Sequence, residues 1–174
     1  MYSDENMLLD LRMNILAKFV DKFVIVEAKY THDGKPKKLN FDIKNFLKFK
    51  DKINYIVVEK QPPNILTEKK EDNKNLISEK KIINSIRRDN YQRNQIMSGL
   101  DKAKDDDCIL ISDLDEIPNL KNFDVSKVKN KLYFFKQKMF YYKFNLYYEN
   151  YVWFGTRASK KKNLKSPQWL RNIK

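Results

Sequence analysis

Cys108-Ile109-Leu110-Ile111-Ser112-Asp113-Leu114-Asp115-Glu116-Ile117-Pro118 is the stretch whose reading decides the fold. Its apolar start has the length and composition of a buried strand. Its end carries three carboxylates, and a proline then stops the element. Residues two apart on a strand point the same way, so Asp113 and Asp115 are expected to face one side together at the strand's end. Two convergent carboxylates repel each other unless a cation lies between them. A hard divalent cation with oxygen ligands is the expected occupant, and such an ion could grip a diphosphate.

Outward from this block, the patterning alternates helices with short apolar strands. Residues 7 to 20 read as an amphipathic helix whose apolar face is Leu8, Leu11, Ile15 and Phe19. Phe23 to Ala28 is a β-branched strand carrying Glu27 near its end, followed by a basic loop with Gly34 and Pro36. Asp42 to Phe49 reads as a short helix and Tyr55 to Glu59 as a second strand, stopped by Pro62-Pro63. The polar residues 64 to 77 suggest a flexible surface segment, and Ser78 to Lys104 a long helix. Beyond Pro118, Leu132 to Phe135 and Met139 to Phe154 suggest aromatic-rich strands, and Gly155 to Lys174 a basic tail anchored by Trp169. This alternation predicts one α/β domain over residues 1–174 with a mostly parallel sheet, whose ligands would bind beyond the carboxyl ends of the strands. Glu27 and the Asp113/Asp115 pair both fall at such ends.

Composition narrows the class. With 174 residues, 41% hydrophobic and 34% charged, the chain can bury a core and is neither disordered nor membranous. No apolar run approaches the ~20 residues of a membrane-spanning helix, and the acidic N-terminus lacks a signal-peptide layout. A single cysteine, Cys108, excludes an internal disulfide and suits a cytoplasmic setting; a single histidine, His32, excludes a His-rich metal site. The net charge of +13 is spread along the chain, which favours a solvated lysine-rich surface over a dedicated nucleic-acid site.

Several blocks in order, Val20 to Glu27, Thr31…Gly34-Lys35-Pro36, Tyr91-Gln92-Arg93-Asn94, and Leu110 to Pro118, resemble glycosyltransferase family 17, the β-1,4-mannosyl-glycoprotein β-1,4-N-acetylglucosaminyltransferase family. The resemblance implies a GT-A-like nucleotide-diphospho-sugar-binding domain and metal-dependent, inverting transfer of a sugar to a glycan acceptor. It implies a UDP-sugar donor and a divalent cation, Mn²⁺ or Mg²⁺. Asp113 and Asp115 match the DxD pair that holds metal and donor, Arg93 an arginine facing the donor, and Glu27 an acidic residue near the nucleoside. Family members usually begin with a further strand before Asp4-Glu5-Asn6 and continue past Arg171. The expectation is therefore a domain truncated at both ends, lacking its first strand.

Transfer needs a base for the acceptor hydroxyl. Glu149 is the only acidic side chain from Val125 onward, and Glu116 is the alternative. His32 and Lys35 could touch phosphate but read more simply as a solvated loop, and Cys108 as a small core residue. The aromatic run from Tyr133 through Phe144 to Phe154 is expected to be mostly core, with Tyr148 or Trp153 lining an acceptor cleft. The rival readings are an inactive remnant of such an enzyme and a basic nucleic-acid-binding module. The second leaves the clustered carboxylates unexplained, because they would repel phosphate.

Overall fold

The computed structural model describes all residues except Asn130, Phe144 and Lys174. Its elements run α1 (Asn6–Leu16), β1 (Phe23–Ala28), β2 (Ile53–Val58), α2 (Lys74–Asn94), β3 (Cys108–Ile111), β4 (Tyr133–Gln137), β5 (Trp153–Lys160) and α3 (Pro167–Asn172). They fall into two compact units. One holds residues 1–6 and 22–101, and the other holds residues 7–21 and 102–174.

In the first unit the β-branched runs pair as expected: β1 lies parallel to β2, from Phe23 opposite Ile53 to Ala28 opposite Val58. The Tyr2 backbone N–H donates to the Val26 carbonyl at 3.0 Å, beside this pair. The crossover between the strands ends in a 3-10 segment, Ile43–Lys52, which buries Phe46 and Phe49. Phe41 stacks on Tyr55 with ring centroids 4.4 Å apart. Helix α2 starts at the Asn73 cap, whose side chain accepts from the Leu76 N–H, so it begins earlier than the apolar pattern suggested. It gives way at Gln95 to a 3-10 segment, Gln95–Leu100. That segment comes so close to β1 that a Cβ on Gly99 would lie 2.4 Å from Val24 Cγ1.

The second unit corrects the expectation of a mostly parallel sheet. Strand β3 pairs antiparallel with β5, and β4 pairs antiparallel with β5 on its other side, giving the order β3-β5-β4. Most of strand β5, from Gly155 on, reads in the sequence as a basic tail because its apolar signal is weak. Its buried positions are the small residues Gly155, Thr156, Ala158 and Ser159, while Arg157 and Lys160 supply the visible charge. The expected strand from Met139 onward is instead a hairpin closed by a bridge between Phe140 and Tyr147. Helix α1 also turns another face inward. It buries Leu9, Met13 and Leu16 and leaves Leu11 and Ile15 exposed. Both faces are apolar at helical spacing, so periodicity alone could not choose between them. Helix α3 is built from a Ser166 cap, a proline at its start and the fully buried Leu170.

Candidate active site

Strand β3 ends at Ile111, and the carboxylates lie on a turn beyond it rather than in strand register. The Glu116 N–H donates to the Asp113 carbonyl at 3.2 Å, closing the turn. Asp113 is half-buried, Asp115 is exposed and Glu116 is buried. The strand argument that Asp113 and Asp115 face one side together therefore does not apply to them.

The repulsion among these carboxylates is relieved by an arginine. Arg171 Nη2 donates to Asp113 Oδ2 at 2.9 Å and to Glu116 Oε1 at 2.9 Å, while Arg171 Nη1 donates to Glu116 Oε2 at 2.7 Å. This two-pronged geometry suits a guanidinium and not a lysine. Glu116 also accepts from the Asp113 N–H at 2.9 Å and from Trp153 Nε1 at 3.1 Å. Both of its oxygens are engaged, so Glu116 ties the turn to β5 and α3.

A second arginine braces the turn from below. Arg12, on α1, donates from Nη1 to the carbonyls of Asp113 (3.1 Å), Leu114 (3.3 Å) and Glu116 (2.7 Å). Burial pushes its pKa down to about 10 against the pull of Glu116, Asp115 and Asp113, so it stays cationic at neutral pH. Thr156 Oγ1 donates to the Glu116 carbonyl at 3.2 Å and lies 2.9 Å from Ser112 Oγ. Gly155 makes this packing possible. A Cβ there would lie 2.2 Å from Gln137 Oε1, 2.7 Å from Trp153 Nε1 and 2.9 Å from Glu116 Cδ. Arg171 is itself held in place. Its carbonyl and that of Leu170, at the end of α3, both accept from Arg157 Nη1.

Glu149 is exposed, in the segment between the aromatic hairpin and β5. Glu27 and Arg93 belong to the first unit. Glu27 is fully buried and accepts from Lys37 Nζ, the Asn40 N–H (2.8 Å), the Phe41 N–H (3.1 Å) and Tyr55 OH (2.7 Å). Burial pushes its carboxyl up, but these donors outweigh burial and hold it below the usual range. Arg93 is buried and pairs with Asp89 one helical turn earlier at 3.2 Å. His32 and Lys35 sit in the loop after β1, where Lys35 pairs with Asp33 at 2.8 Å. Burial pushes the Cys108 thiol up to about 11, which fits an inert packing residue.

Sequence reasoning missed Arg171, Arg12 and Gly155; it named Trp153 for an acceptor cleft but not its bond to Glu116. The available signal was electrostatic: a trio of acids at a strand end calls for a cation, and an arginine from the same chain can answer that as well as a metal can. Among the described residues, no group of three or more His, Cys, Asp or Glu side chains is arranged to hold a metal ion. The turn offers at most the hard oxygens of Asp113 and Asp115, with Asp113 shared with Arg171. Such a donor set is too small to cage a cation by protein alone.

A surface concavity of about 440 Å³ is lined by Leu132, Lys162, Asn163, Leu164, Lys165 and Trp169. It does not include the carboxylate turn. No helix among the described residues is long and apolar enough to cross a membrane.

No curated protein and no solved structure matches the chain. The sequence pattern of glycosyltransferase family 17 matches residues 1–168, from before α1 into the start of α3, with the acidic turn and its supporting strands inside the match. The chain therefore belongs to glycosyltransferase family 17.

Proposed function

We propose that the chain transfers a sugar from a nucleotide-diphospho-sugar, probed first with UDP, to a glycan acceptor at the acidic turn Asp113–Glu116, in a GT-A-like manner. The observation that carries this reading is the turn itself: an exposed Asp115 beside a half-buried Asp113, held in one geometry by Arg171 and Arg12. Rigid support of this kind keeps reacting groups in register, which is where much of the rate of a two-substrate transfer originates. Asp113 and Asp115 would hold a divalent cation, Mn²⁺ or Mg²⁺, whose chemistry is to neutralise the departing diphosphate. Arg171 adds fixed positive charge at the same place. Glu27 and Arg93 are assigned to the donor side by family resemblance.

In the transfer, the acceptor oxygen forms a bond to the anomeric carbon on the face opposite the donor. The bond from that carbon to the diphosphate oxygen breaks and its electron pair leaves with the diphosphate. The acceptor proton passes to a base. Of the two carboxylates considered for that role, Glu149 is the accessible one, and Glu116 is committed to Arg171, Trp153 and the Asp113 N–H. Glu116 is accordingly a positioning residue.

The test is calorimetric titration with UDP, with and without Mn²⁺, on the parent chain, on Asp113→Asn/Asp115→Asn and on Glu149→Gln. Cation-dependent binding that the double variant loses and Glu149→Gln keeps is the expected result. Where transfer is then detected, Glu149→Gln should lower it by about 10²–10⁴-fold. A folded parent chain that ignores UDP in both conditions would overturn the reading.

A further inference from the structure

The aromatic run that leads into β5 is less buried than a sheet core requires. Tyr147, Tyr148, Tyr151 and Phe154 all lie among the exposed large hydrophobic residues, and Trp153 is half-buried. Three of these rings are ordered in a ladder. Tyr148 stacks on Tyr151 with centroids 5.7 Å apart and planes 11° apart. Tyr151 stacks on Trp153 with centroids 6.2 Å apart and planes 22° apart.

Backbone geometry sets this arrangement. The Tyr151 N–H donates to the Tyr148 carbonyl at 3.3 Å, a turn that brings side chains three residues apart together. The base of the preceding hairpin is closed by the Tyr148 N–H donating to the Met139 carbonyl at 2.9 Å. The last rung is tied to the acidic turn, because Trp153 Nε1 donates to Glu116 Oε1, and Glu116 accepts the Asp113 N–H. The ladder thus leads from solvent to the carboxylates through a chain of named contacts within one unit.

From this geometry we infer that Tyr148, Tyr151 and Trp153 form the acceptor platform, against whose exposed faces and edges the sugar rings of an oligosaccharide chain pack. The inference rests on the glycosyl-transfer reading of the adjacent turn. Broad aromatic faces with polar rims match a sugar ring, which presents C–H groups on its faces and hydroxyls at its edges. The rings lose little conformational freedom on binding, having few rotatable bonds and being already stacked. Continuity with the acidic turn singles out a carbohydrate over a second copy of the chain. Glu149, between the first two rungs in sequence, is exposed.

The experiment is NMR titration of the full chain with chitotetraose, mannotetraose and cellotetraose, on the parent and on Tyr148→Ala, Tyr151→Ala and the corresponding Phe variants. The far-ultraviolet spectrum and melting temperature of each variant verify folding. At least one tetrasaccharide should bind, each alanine variant should bind it about tenfold more weakly, and each phenylalanine variant should keep the parent affinity. Absence of binding by the folded parent, or alanine variants that bind as the parent does, would overturn the platform. So would a parent dimer that the alanine variants dissociate, since the face would then join two copies. UDP titration of the alanine variants separates the two proposals. Retained UDP binding with lost tetrasaccharide binding supports the platform, whereas a parent that binds tetrasaccharide but not UDP retains the platform and overturns the donor site.

Discussion

A buried carboxylate without a cation costs several kcal/mol, and Glu116, only 5% exposed, meets that cost through Arg171. Removing the guanidinium while keeping the acid should therefore be among the most damaging changes in the second unit. Arg171→Met is expected to lower the unfolding free energy by about 3–5 kcal/mol, read from urea denaturation, because Glu116 loses its ion-pair partner and keeps only the Trp153 Nε1 and Asp113 N–H donors. Adding Glu116→Gln should restore a large part of the loss. A single variant within about 0.5 kcal/mol of the parent would show that water, not Arg171, satisfies Glu116. Of this cluster, the acids were legible in the sequence because they stand together at a strand end. Their partner was not, since Arg171 lies 58 residues away and nothing in a linear pattern encodes that contact.

Helix α3 shows how a short element serves a site through one side chain, Arg171. It has six residues, too few to be stable alone, so its cap, its buried Leu170 and the Arg157 contacts to its last carbonyls decide whether it forms. Ser166→Ala removes the acceptor for the Trp169 N–H and should cost about 1 kcal/mol in thermal or urea unfolding. An unchanged midpoint would mean that Leu170 packing alone holds the helix. Strands β1 and β2 were legible because Val and Ile mark them. Strand β5 was not, because a position opposite a crowded neighbour selects for small residues rather than greasy ones. Gly155 and Thr156 are there for close approach to Glu116 and Gln137, and hydropathy does not register close approach.

At the scale of the whole molecule, acid pH is the informative stress. Glu27 is held below its ordinary range by its four donors, Asp72 by Lys80, and Asp124 by Ser126. Asp33 beside Lys35 and Asp106 beside Lys160 are each held at about 2. A carboxyl whose pKa is lower in the folded state stabilises that state above its unfolded pKa, and the contribution disappears as pH falls through the folded value. Each protonation also adds to a net charge already at +13, which increases self-repulsion. The melting temperature should fall progressively from about pH 5 to about pH 2, and a constant midpoint over that window would refute the assignment. The contact between Asp113 and Arg171 also has a meaning in time. A ribosome adding about 5–20 residues per second needs roughly 3–12 s to make the 58 residues that separate them. Through that interval the acids of the nascent turn wait for their counter-charge. The geometry of the turn can lock only once Arg171 has been added and has reached Asp113 and Glu116.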